Sequence, residues 1–178
     1  MGMIEAEIRS FITEEKYEEL IGYFIKNGRL IGEDFQETFY FDSVQDIRIQ
    51  RNLNFSKIWM KRGKMHDEAR EEIEVRFPRE DFEKLEKIFL SMGMNVRIKW
   101  FRKRHEFEWS GIRVCIDHTR GYGHIIELEK IVDESGREKA LSELRENMEK
   151  LGIALTPRKE FEERFEDYEH NWKKLVNS

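Results

Sequence analysis

The stretch Ile4-Glu5-Ala6-Glu7-Ile8-Arg9 alternates apolar and charged residues without a break. Alternation of period two marks a strand with two unlike faces. Ile4, Ala6 and Ile8 form one face, and Glu5, Glu7 and Arg9 the other. Neighbours on one strand face stand about 7 Å apart. Two carboxylates at that spacing, with a guanidinium beside them, can hold a divalent cation and an anionic ligand together.

The pattern recurs along the chain. Arg70, Glu72, Glu74 and Arg76 oppose Ile73, Val75 and Phe77, and Arg113, Cys115 and Asp117 oppose Ile112, Val114 and Ile116. Glu127 and Glu129 share a face of a further strand at 125–131. Branched and aromatic residues predict more strands at 36–42, 48–51, 57–61 and 96–109, with Ser110-Gly111 as a hairpin turn.

Helical spacing appears in four places. Thr13 can cap a helix carrying Tyr17, Leu20, Ile21, Phe24 and Ile25, which Asn27-Gly28 stops. Phe82, Leu85, Ile88 and Phe89 follow Pro78, and Leu141, Leu144, Met148 and Leu151 run up to Gly152. Phe161, Phe165, Tyr168 and Trp172 mark a last helix after Pro157, its aromatic stripe read as core.

The order predicts an α+β fold in one domain, residues 1–178, with C-terminal helices at about 136–176 packing on the sheet. About eight antiparallel strands sharing a charged face are best satisfied by closing into a barrel, which removes exposed edges. The charged face then lines a tunnel, and the apolar face lies outside under the helices. A charged interior is costly unless water, metal and ligand fill it, and that cost argues for function.

Charged residues make up 39% of the chain, yet 13 Phe, 5 Tyr and 4 Trp argue against disorder. The net charge of −5 gives no general attraction to nucleic acid or anionic membrane. A lone cysteine, Cys115, fits a reducing cytoplasm and reads as a packed strand residue. No apolar run approaches the ~20 residues of a membrane span, so a soluble cytoplasmic protein is expected. His66, His105, His118, His124 and His170 show no metal-ligand spacing, which argues against zinc.

The acidic candidates are Glu5, Glu7, Asp117, Glu127 and Glu129, with Glu72 and Glu74 beside them. Oxygen ligands of this kind select hard cations such as Mg²⁺. The basic candidates are Arg9, Arg48, Lys61, Arg102 and Arg104, with Arg51, Arg70, Arg76, Lys99 and Arg113 nearby in sequence. A row of cations opposite metal-binding carboxylates suits a triphosphate.

In this order the residues resemble the CYTH superfamily, the triphosphate tunnel metalloenzymes. Glu5 and Glu7 match its opening glutamates, with Arg9 in place of the usual lysine. Tyr40 lies in its second block, and Arg48, Lys61, Arg70, Glu72, Glu74, Arg102, Arg104, Asp117, Gly123, Glu127 and Glu129 follow its later motifs. Thr38 stands where many members have Asp, and Gln50 where a second arginine is common.

The resemblance implies a closed eight-stranded tunnel holding one or two Mg²⁺ or Mn²⁺ ions. Glu5, Glu7, Arg9 and Tyr40 would serve catalysis. Arg9, Arg48, Lys61, Arg70, Arg102 and Arg104 would bind phosphate. Glu5, Glu7, Glu72, Glu74, Asp117, Glu127 and Glu129 would bind metal. It points to a triphosphatase acting on tripolyphosphate, ATP or thiamine triphosphate. The alternatives are a class IV adenylyl cyclase and a non-catalytic triphosphate sensor. A homodimer is implied by the same analogy.

Overall fold

A computed structural model describes residues 3–62 and 71–177. The chain runs β1 (Met3–Ile12), α1 (Glu14–Asn27), β2 (Arg29–Phe41), β3 (Asp46–Arg51), β4 (Ser56–Arg62) and β5 (Glu71–Phe77). There follow α2 (Phe82–Ser91), β6 (Val96–Trp109), β7 (Ile112–Thr119), β8 (Gly123–Asp133), α3 (Arg137–Lys150) and α4 (Arg158–Leu175). Thr13 caps α1 as its position predicts, accepting a hydrogen bond from the Lys16 amide.

All eight strands form one antiparallel sheet in the order β1-β8-β7-β6-β2-β3-β4-β5. The closed barrel expected from the sequence is corrected in one respect. Among the described residues no ladder joins β5 back to β1, so the sheet keeps two edges. Charge protects the β5 edge: Glu74 pairs with Lys57 on β4 and with Arg76 on its own strand.

Alternation sorts the two faces as expected. Ala6, Val114, Ile116, Ile126, Leu128 and Phe107 turn one way and are buried under α1 and α3 with Leu20, Phe24, Leu144 and Met148. Each such buried side chain contributes roughly 1.5–3 kcal/mol. The same side of β2 and β3 buries Phe39, Phe41 and Ile49 against Phe82 and Phe89 of α2.

The last helix departs from the expectation that all helices lie outside. Near one end the polar face turns aromatic, with Phe11 on β1, Tyr40 on β2 and Trp100 on β6. The aromatic stripe of α4 covers that end. Phe161 stacks on Phe11 with ring centroids 4.6 Å apart, and Tyr168 meets Trp100 at 5.1 Å. The Tyr168 hydroxyl donates to the Lys99 carbonyl. The end of α4 presses on the β7–β8 turn at Gly121, where φ is +73° and a Cβ would lie 2.6 Å from that of Leu175. Three helices therefore cover the apolar face, and the fourth closes one end of the polar face.

The strand β2 begins earlier than its predicted start at 36. Residues 29–35 offer no clean alternation, and pairing with the long β6 extends them as a strand. No helix among the described residues is long and apolar enough to cross a membrane.

Candidate functional site

Register decides which side chains of the polar face meet. Glu7 lies opposite Glu129 on β8, which lies opposite Arg113 on β7. Arg9 lies opposite Glu127, and Glu127 opposite Cys115. Arg104 on β6 faces Asp117, and Arg102 faces Thr119. The glutamates of β1 and β8 thus form one corner of the face, and the arginines of β6 flank it.

Ion pairs tie the two sets together. Arg104 donates through Nε to Asp117 Oδ1 at 2.8 Å and through Nη2 to Glu127 Oε2 at 2.5 Å. Arg102 donates through Nη1 to Asp117 Oδ2 at 3.2 Å and through Nε to Gln36 Oε1 at 2.9 Å. Asp117 is 2% exposed and holds both guanidinium groups in place. This geometry makes it the anchor of the two arginines.

The buried carboxylates of β8 are driven in opposite directions. Burial pushes Glu127 upward, but the positive charges of Arg104, Arg102 and Arg9 outweigh it and hold the carboxyl below its usual range. Glu129 is pushed up to about 8 by burial, then by the negative charges of Glu127 and Glu5. Its Oε2 has no hydrogen-bond partner and lies 3.4 Å from Arg113 Nη1. A buried oxygen without a donor, beside further carboxylates, is the environment a cation relieves.

Ligand atoms of Glu127, Glu129 and Cys115 lie within 4.8 Å of one another, close enough to share an ion. The thiol is held far above its usual range by burial, the nearby Arg104 charge notwithstanding, so it stays protonated. The donors that fit a metal are therefore carboxylate oxygens, which match Mg²⁺ or Mn²⁺. Glu5 and Glu7 are exposed on the same face.

The remaining candidates have further partners of their own. Arg48 donates to the Tyr40 hydroxyl at 3.2 Å, sits over its ring, and is paired with Asp46. Glu74 is engaged by Lys57 and Arg76 on the far edge strand, which separates it from the β1–β8 glutamates in sheet order. Lys61 and Glu72 occupy opposed register positions of β4 and β5, and Arg70 lies outside the described residues. The guanidinium of Arg9 lies 4.8 Å from the ring centre of Phe161, which ties it to α4.

Sequence reading missed Gln36 as a member of the site. It accepts from Arg102 and from the Gln50 amide, and alternation with Thr38 and Tyr40 on β2 is the signal that could have found it. Arg113, named among the basic residues near the candidate set, grips Glu106 and reaches Glu129.

The model of the CYTH domain family matches residues 3–165. A protein of Methanocaldococcus jannaschii named "Putative adenylate cyclase" is 31% identical over 165 residues, covering 85% of this chain and 91% of its own. A conserved hypothetical protein of Pyrococcus furiosus has a similar structure, with a TM-score of 0.72 and 24% identity, covering 86% of this chain and 96% of its own. A Vibrio parahaemolyticus structure titled as that of a "putative adenylate cyclase" gives a TM-score of 0.67 at 12% identity, covering 90% of this chain and 98% of its own. With its polar face, its ordered glutamates and arginines and this match over most of its length, the chain belongs to the CYTH domain family.

Proposed function

We propose that this protein is a divalent-metal-dependent phosphohydrolase of triphosphate compounds: inorganic tripolyphosphate, ATP or thiamine triphosphate. The observation that carries this reading is the meeting of Glu7, Glu127 and Glu129 with Arg9, Arg102 and Arg104 on one polar face. Glu5, Glu7, Glu127 and Glu129 would hold Mg²⁺ or Mn²⁺. The bound ion supplies charge neutralisation on the phosphoryl oxygens and a more acidic water.

The chain's own residues do the rest. Arg102 and Arg104 present guanidinium donors for phosphoryl oxygens, kept in orientation by Asp117. Arg9, opposite Glu127 in the register, adds a positive charge for phosphate binding. Arg48, braced by Tyr40, extends the cationic surface. The aromatic layer under α4 closes one end, so substrate and water enter past the exposed Glu5 and Glu7. Catalysis is then largely positioning and electrostatics.

A second reading is favoured by the names of the relatives. An adenylate cyclase would use the same grip on ATP, with the 3′-hydroxyl attacking the α-phosphorus and pyrophosphate leaving. One experiment separates the two. The folded protein is incubated with each substrate and Mg²⁺ or Mn²⁺, and phosphate, pyrophosphate and cyclic AMP are quantified. Phosphate release supports the hydrolase, cyclic AMP with pyrophosphate supports the cyclase, and no product from any substrate removes both.

A further inference from the structure

The apolar face of β7 and β8 ends in a feature that the polar-face chemistry does not use. Along β7 it runs Val114, Ile116, His118, and along β8 Leu128, Ile126, His124. The apolar stripe thus finishes in two imidazoles, and these are register partners across the hairpin. Their rings stack at 4.6 Å between centroids with 20° between planes. Tyr17 of α1 closes over the pair, its ring 4.6 Å from that of His124.

We propose that His118 and His124 form a two-histidine transition-metal site on the helix-bearing face. Cross-strand partners hold their Cβ atoms about 4.5–5.5 Å apart, which lets two rings turn edge-inward onto one ion. Imidazole suits Zn²⁺, Ni²⁺ and Cu²⁺, unlike the oxygen corner of the polar face. No hydrogen bond to either ring is found among the described residues, which leaves ring nitrogens for a metal. The sequence reading against zinc rested on linear spacing, and the hairpin register supplies the proximity that spacing does not show.

The test is calorimetric titration of Ni²⁺ into the whole protein in excess Mg²⁺, which saturates the carboxylate corner. The wild type and the Glu5→Gln/Glu7→Gln variant should each bind a Ni²⁺ equivalent that His118→Ala and His124→Ala lose. Unchanged Ni²⁺ binding in both histidine variants would overturn the site. If either variant unfolds, NMR of the wild type decides. Paramagnetic Ni²⁺ below one equivalent should erase the imidazole signals of His118 and His124 while sparing His170, and uniform broadening of all three would equally refute the proposal.

Discussion

Thr38 and Gln50 are register partners on β2 and β3, and the Gln50 amide donates to the Thr38 hydroxyl at 2.9 Å. Both are buried in the polar face. Two of the three positions at which the sequence departs from the pattern it resembles are therefore one contact. The contact joins two neutral groups, so it leaves no buried charge stranded.

That coupling sets the first prediction. Thr38→Asp alone places a carboxylate against an amide and should cost roughly 1–3 kcal/mol. Adding Gln50→Arg should recover at least half, because neighbours in one network couple by about 0.5–3 kcal/mol. Urea unfolding of the four proteins in the cycle measures it. Additive costs would show that the two positions act independently.

Glu5→Gln with Glu7→Gln should abolish metal-dependent turnover and leave stability within about 0.5 kcal/mol, as expected of exposed side chains away from packing. Phosphate release and a thermal melt on the same sample provide the check. A melt lowered well beyond that range would make the pair structural.

Asp117→Asn should behave differently. It removes the anion shared by Arg102 and Arg104 within the buried face. Losing one partner of a buried pair costs roughly 3–5 kcal/mol, so the melt should fall markedly. KM for the triphosphate should rise as the two guanidinium groups lose their orientation. A metal-binding defect with an unchanged melt would instead make Asp117 a ligand.

His105 makes its own contribution to the pH dependence. Burial lowers its pKa below the ordinary value of 6.5, only partly opposed by Glu33, and its Nδ1 lies 3.3 Å from the Tyr17 hydroxyl. Its folded pKa is depressed, so the unfolded chain binds the proton first. Stability is thus full above the unfolded value and is lost as pH falls through 6.5 toward the folded one. Between about pH 7 and about pH 5.5 the urea midpoint of the wild type should fall relative to that of His105→Gln. Equal slopes in the two proteins would place the acid sensitivity elsewhere.

The sequence by itself determined which residues share a face. Period-two alternation is built into the backbone, so Glu5, Glu7 and Arg9, or Glu127 and Glu129, could be grouped from local pattern alone. The α1 cap and the apolar stripes under α1, α2 and α3 were legible for the same reason. Only the tertiary structure decided which strand lies beside which. That pairing put Asp117 between two arginines, left a buried Glu129 oxygen without a hydrogen bond, and seated His118 on His124. It also kept β1 and β5 as edges and laid α4 across the aromatic end of the polar face. Strand register is fixed by contacts far apart in sequence, and no local periodicity carries that information.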